Sequence, residues 1–250
     1  MSALSMSNRL FDQLEPLKPD PAMDQDPIER IGLLDVNKRY LAVKLRQAAE
    51  RKFILPDHHP SSRLQDRLPP GQSLVRKWPV LDLNIRPRVT ADSFRLSLDG
   101  LVERPLALSF PRLLALPQMR AAPDIHCVTS WSRFDMDFEG VALARLLDLA
   151  RPKAGAAYAH IHSLDGYTTN MRLDQLAKSN VMLAHSFEGK PLNGLHGGPV
   201  RLIVPDLYFW KSAKWVRRIE IRSVDRPGFW ETRGYHRNGD PWRQERYSRE

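Results

Sequence analysis

The chain has one cysteine, Cys127, in 250 residues. No intrachain disulfide can form, and no zinc site built from several thiolates is available. No stretch approaches the roughly 18 uninterrupted apolar residues of a membrane-spanning helix. The first ten residues contain one basic side chain and lack the apolar core of a secretory signal, and the Arg217-Arg218 pair lies too late to act as a twin-arginine export signal. The expected compartment is therefore the cytoplasm. Neither GxxxxGK[ST] nor GxGxxG occurs, which removes the common phosphate-loop and dinucleotide fingerprints. Internal repeats and low-complexity tracts are also missing.

What is present is a core-forming composition, 42% hydrophobic, with a formal net charge of +9 that favours an anionic partner. Nine of the twenty prolines fall within residues 1–79, so residues 1–75 read as a Pro-rich extension ahead of a domain at 76–250. One amphipathic helix is expected near 38–53, where Leu41, Leu45, Ala48 and Ala49 recur at helical spacing between lysines and arginines. Alternation at Leu81, Leu83 and Ile85 predicts a strand over 80–85, and Phe94, Leu96 and Leu98 predict another before an Asp99-Gly100 turn. Further strands are expected at 124–128, 158–163, 181–186, 200–204 and 215–224. Helices are expected at 109–116, 141–149 and 172–177. Strands outnumber helices without alternating regularly with them. The fold class is therefore α+β, with mainly mixed or antiparallel sheets and peripheral helices.

Charge and aromaticity concentrate at the C-terminal end. Residues 201–250 hold 12 Lys plus Arg against 7 Asp plus Glu, and nine of the 21 aromatic residues. One reading of that pattern is a basic, aromatic-rich binder of nucleic acid without catalysis, in which arginines meet phosphates and tryptophans stack on bases. It leaves Cys127 without a task. Two segments carry more chemistry. In Ile125-His126-Cys127-Val128-Thr129-Ser130-Trp131-Ser132-Arg133 the thiol ends a short apolar strand, from which it can project into a cleft; taken alone, such a cysteine is more often a small buried hydrophobe. In the second segment His196-Gly197-Gly198-Pro199-Val200-Arg201 is followed by Lys211-Ser212-Ala213-Lys214. Paired glycines and closely spaced donors suit a phosphate cradle, and equally a hairpin turn with a solvated basic strand.

Together, HCVTSWSRFDMDFEGVAL, HGGPVRLIVPDLYFWKSAKWVRRIE and DRPGFWETRGYHRNGDPW closely resemble the molybdopterin-dependent oxidoreductases of the sulfite-oxidase superfamily, and most of all its stand-alone bacterial sulfite-oxidase-like group. The likeness runs from about Trp78 to Trp242. It implies a sulfite-oxidase-type molybdopterin-binding fold and a molybdenum-molybdopterin cofactor, with or without a nucleotide extension. It also implies Cys127 as the thiolate ligand of the metal, a soft donor suited to a sulfur-rich site. Arg201, Ser212, Ala213 and Lys214 match the family's cofactor contacts, with Lys211 and His196 added. The loop Arg76-Lys77-Trp78, His126 beside the thiol, and His162 and Ser163 at a second cofactor-edge loop are further candidates. Arg133 and Tyr167 are candidates for meeting substrate. The implied activity is oxygen-atom transfer on a small S- or N-oxide or oxyanion. No Cys-x-x-Cys-His haem motif occurs, so electrons would pass to or from a separate partner. The chain also stops soon after the family tail, without room for the dimerisation domain of larger sulfite oxidases, and a monomer is expected.

Overall fold

The computed structural model describes Arg46 and residues 66–83 and 85–248. The helix expected at 38–53 lies outside these residues except for Arg46, which is helical. In chain order the elements are β1 (Ser73–Leu74), β2 (Arg95–Gly100), β3 (Leu106–Ser109), α1 (Phe110–Leu114), β4 (Gln118–Ala121), β5 (Ile125–His126), β6 (Trp131–Arg133), β7 (Phe138–Ala142) and α2 (Leu143–Ala150). They continue as β8 (Tyr158–Ser163), β9 (Thr168–Arg172), α3 (Leu173–Leu176), β10 (Met182–Phe187), β11 (Lys190–Pro191), β12 (Arg201–Ile203) and β13 (Val216–Arg222).

The described strands form three sheets: β3-β2-β13-β8-β9, β11-β10-β7-β4 with β12 also on β10, and β1-β6-β5. Pairing is antiparallel except for β13 with β2 and β1 with β6. This is the sheet-rich α+β arrangement that composition and periodicity indicate. The largest core packs Leu96 and Leu98 of β2, Ile161 of β8, and Ile219 and Ile221 of β13 against α2. That helix buries Leu143, Leu146, Leu147 and Ala150, an i, i+3, i+4, i+7 stripe, and stops where Arg151 turns left-handed at φ 54°. A second core, around Trp78, Ile125, Cys127, Phe138, Tyr208, Trp210 and Tyr235, lies under the short strands that carry the thiol.

Three local expectations need correction. No strand forms at 80–83: Leu83 is buried in the larger core and Leu81 packs on the smaller one, so both are apolar for tertiary reasons rather than through strand pairing. Val141 does not begin a helix but sits in β7, paired with Leu183 and Gln118, and the helix starts two residues later. β9 was hidden from periodicity because Thr169 and Asn170 are buried polar residues, bonded to Glu231 and Asp225. Residues 66–75, assigned by composition to the extension, contribute β1 and the buried Gln72.

At Gly140 the backbone of β7 passes so close to β10 that a Cβ would lie 2.1 Å from the Leu183 carbonyl oxygen. Gly140→Ala is expected to lower stability by about 1–3 kcal/mol through forced strand separation. A urea midpoint equal to that of the wild type would refute the close approach.

Candidate active site

Cys127 lies at the end of β5, in a tight loop closed by its N–H donating to the Trp131 carbonyl (2.8 Å) and by Ser130 N–H donating back to the Cys127 carbonyl (3.0 Å). Ser130 takes the left-handed conformation the turn requires, φ 68°. Two residues outside the motif brace this loop. Gln72 donates from Nε2 to the Cys127 carbonyl (3.1 Å) and accepts the Ser132 hydroxyl proton at Oε1 (3.2 Å). The buried Arg246 guanidinium donates to the Val128 carbonyl. With its proton committed to Gln72, Ser132 accepts from His126 Nδ1 at 2.8 Å, which assigns the proton on that ring nitrogen. The Cys127 sulfur is 3.2 Å from the Thr129 hydroxyl and faces a cleft of about 840 Å³, open mouth included.

The same cleft is lined by residues of the second motif. Arg201 begins β12 and is 2% exposed as a residue, its guanidinium donating to the carbonyls of His196 (2.8 Å) and Ser212 (2.6 Å) and lying 4.3 Å from the Phe209 ring centre. Among the described residues no carboxylate forms an ion pair with it, and burial pushes its pKa down to about 9. Lys214 is lowered to about 8 by burial and by the neighbouring Arg201 charge, against the pull of Asp82 at 3.4 Å. His196 stacks on Trp78 at 3.8 Å and 12°. Burial, followed by the charges of Arg201, Lys214 and Arg133, holds it neutral with a pKa near 4, and its Nδ1 is buried without a hydrogen-bond partner. Gly198 lets this loop fold onto itself, since a Cβ there would lie 1.9 Å from the Leu192 carbonyl oxygen.

Of the residues proposed from sequence, the cleft wall brings together Trp78, Cys127, Tyr167, Arg201, Ser212, Ala213 and Lys214. Ser212 also accepts the Val204 N–H at its hydroxyl, and the Tyr167 hydroxyl donates to the Trp210 carbonyl (2.7 Å). The other candidates sit elsewhere. Arg76 and Lys77 are exposed, while Arg133 pairs with Glu188 and lies over Phe187. His126 bonds Ser132; His162 faces Glu220 at 3.6 Å; Ser163 is buried in the sheet. His196 does not line the cleft itself but contacts two residues that do, Trp78 by stacking and Arg201 through its carbonyl. Lys211 is buried away from it, its ammonium donating to Glu231 Oε1 (2.6 Å), Asn170 Oδ1 (2.8 Å) and the Arg237 carbonyl (2.6 Å). Sequence reasoning also missed Gln72, Asp82 and Arg246, none of which lies in a recognisable motif, and did not single out Asp165 although it sits in the cofactor-edge loop between Ser163 and Tyr167.

A buried guanidinium without a counter-ion among the described residues, a second cation with a lowered pKa and a thiol lining the same cleft fit an anionic group that also offers a soft metal. The comparisons agree with that chemistry. A family model for the oxidoreductase molybdopterin binding domain matches residues 83–230. The chain belongs to this family. It is 41% identical over 183 residues to an uncharacterized oxidoreductase of Bacillus subtilis, YuiH, covering 73% of this chain and 92% of that one. It is 25% identical to the protein-methionine-sulfoxide reductase catalytic subunit MsrP of Campylobacter jejuni, over 64% of this chain and 61% of that one. The crystal structure of the sulfane dehydrogenase SoxCD from Paracoccus pantotrophus shares the fold, with TM-score 0.52 and 22% identity over 68% of this chain and 54% of that chain. The protein is thus a molybdopterin-dependent oxidoreductase with a sulfite-oxidase-type fold and a molybdenum-molybdopterin cofactor.

The structure also weakens the nucleic-acid reading of the basic, aromatic tail of this oxidoreductase. Tyr208, Trp210, Trp215, Phe229 and Tyr235 are buried, leaving Trp242 as the one exposed large aromatic among the described residues of that segment. Stacking on bases needs exposed rings.

Lys211 and Glu231 are both fully buried at the side chain. Lys211→Met leaves the Glu231 carboxylate uncompensated and is expected to cost about 3–5 kcal/mol. Chemical denaturation measures it, and a loss below about 0.5 kcal/mol would show that the pair does not hold this corner together.

Proposed function

We propose that this oxidoreductase transfers an oxygen atom between water and a small uncharged S- or N-oxide couple, exchanging electrons with a separate redox partner. The observation that carries the proposal is the shared cleft, which both the Cys127 thiol and the Arg201 cation line, the latter with no carboxylate partner among the described residues. In this reading Cys127 ligates molybdenum. Arg201 and Lys214 neutralise the pterin phosphate, and the Ser212-Ala213 stretch and the Trp78–His196 stack line its path. When bound, the molybdenum centre supplies the two-electron redox change that oxygen transfer requires. The chain's own contribution is positional: Gln72 and Arg246 fix the thiol's loop, and the carbonyl-anchored guanidinium presents its charge without having to reorganise.

Charge at the cleft argues for an uncharged substrate. Once Arg201 and Lys214 are engaged by phosphate, the remaining charged groups of the wall are Asp82 and Asp165, both acids. Arg133, the cation proposed for gripping an oxyanion, is held by Glu188 outside the wall. Trp131, Tyr167, Phe209 and Trp210 supply an aromatic surface for an organic group.

Expression in a host that makes molybdopterin tests this reading. Cys127→Ser is expected to fold and to lose most of its molybdenum, and Arg201→Gln to retain the cofactor about ten- to a hundredfold less tightly, the value of a charge-assisted hydrogen bond. Wild-type metal content in folded Cys127→Ser would rule out the ligand assignment. A higher kcat/KM for sulfite oxidation than for reduction of any neutral sulfoxide or N-oxide would rule out the substrate class.

A further inference from the structure

Asp165 enters the reading above only as one of two acids that disfavour an anionic substrate, yet it lies in the cleft wall and is 3% exposed. It occupies the turn between β8 and β9, which is pinned by Leu164 N–H donating to the Trp215 carbonyl (3.0 Å) and by Gly166 N–H donating to the Ser163 carbonyl (3.2 Å). The first of these bonds brings the turn against the stretch that carries Lys214. Oδ1 accepts the Tyr167 N–H at 3.0 Å. The charged groups facing the carboxyl are Lys214, from the segment before β13, and Asp82, from the segment after Trp78; these two pair with each other at 3.4 Å. Tyr167, the other hydroxyl-bearing neighbour, has its proton committed to the Trp210 carbonyl and its pKa pushed well above the usual range by burial.

We propose that Asp165 is the acid that delivers a proton to the substrate oxygen during oxide reduction, a role that rests on the oxygen-transfer function proposed above. For a sulfoxide the balance is one S–O bond broken and two O–H bonds formed, with two electrons from a reduced electron-carrier protein and two protons. One proton comes from the Asp165 carboxyl and one from solvent, the oxygen leaves as water, and water at the mouth of the cleft reprotonates the carboxylate. The environment suits the task. Burial raises the Asp165 pKa to about 7, against the opposing effects of the Tyr167 N–H and Lys214, so the group is part protonated and part ionised near neutral pH. An anion bound at Arg201 and Lys214 would oppose ionisation of Asp165 further, since it adds negative charge nearby.

Asp165→Asn tests the role without emptying the site, because the amide is isosteric with the protonated acid and still accepts the Tyr167 N–H. In cofactor-loaded protein that is not turning over, infrared titration of the wild type is expected to show a carboxylic-acid carbonyl band that disappears as pH rises past about 7, at a midpoint shifted upward by the bound anion, and is missing from Asp165→Asn. With dimethyl sulfoxide or trimethylamine N-oxide as substrate and a reduced viologen as electron source, wild-type kcat should fall as pH rises through that range. Asp165→Asn should lose roughly 10²–10⁴-fold in kcat, with little change in KM, together with that pH limb. A wild type without the titrating band, or a variant that keeps both rate and limb, overturns the proposal. A loaded wild type that reduces neither oxide overturns the oxygen-transfer reading and the donor role with it, while the infrared band still reports separately whether the carboxyl is protonated.

Discussion

The rest of the cleft is organised around the buried guanidinium of Arg201. Removing a cation from water without a counter-ion is costly, and here it is offset only in part by carbonyl dipoles of His196 and Ser212 and by the faces of Phe209 and Trp78. Those same bonds tie the glycine loop at 196–198 to the segment after Phe209, so the charge is also the strut that spaces the two loops. Its pKa, lowered to about 9, still leaves it protonated at neutral pH. An anion that binds there removes a penalty that the fold otherwise carries. In the proposed binding mode the cofactor is coupled to stability as well as to catalysis, because a ligand that binds only the folded state stabilises it by mass action.

Three cations close together in sequence show how counter-charge sorts structural from binding roles. Lys211 is fully buried with Glu231 against its ammonium, and that carboxylate also accepts from Trp210 Nε1 and Thr169 Oγ1. The cluster fixes one corner of the cleft and has no charge left to offer. Lys214 is half satisfied by Asp82 at 3.4 Å, and Arg201 has no acid partner among the described residues. Uncompensated charge thus rises from Lys211 through Lys214 to Arg201. A donor motif read as Lys-Ser-Ala-Lys cannot reveal that order, since the neutralising acids lie far away in the chain, at positions 82 and 231.

The same distinction explains how much of the molecule was legible in its sequence. β8 is expected and found at 158–163, and β2 and β13 nearly coincide with their apolar alternation, because each presents hydrophobic residues to the large core at period two. β9 escaped because its buried side chains include Thr169 and Asn170, whose partners come from β13's far side of the chain, Asp225 and Glu231. At the site, Cys127, Arg201 and Lys214 were legible as members of local motifs. Gln72 and Arg246 were not, although they brace the thiol's loop, because one precedes the motif by 55 residues and the other belongs to the C-terminal tail. His126 and Arg133 lie beside the thiol in sequence, while their side chains bond Ser132 and Glu188 and neither lines the cleft.

The excess positive charge takes on a different meaning in this light. On β13, Arg218 pairs with Asp99 and Arg222 with Glu220, and Arg237 beyond it pairs with Asp225, so much of the basic C-terminal fifth is locally neutralised. Such partly exposed pairs contribute little to stability, and each cation already has an acid beside it. What distinguishes the cleft is therefore not the number of its cations but their dryness. Arg201 and Lys214 act where water is scarce and screening is weak, so two charges there attract a phosphate more strongly than a larger number on the solvated strand. Net charge counted along the sequence weights all of these side chains equally, whereas burial concentrates their effect at the one place where a thiol and an acid also face the same space.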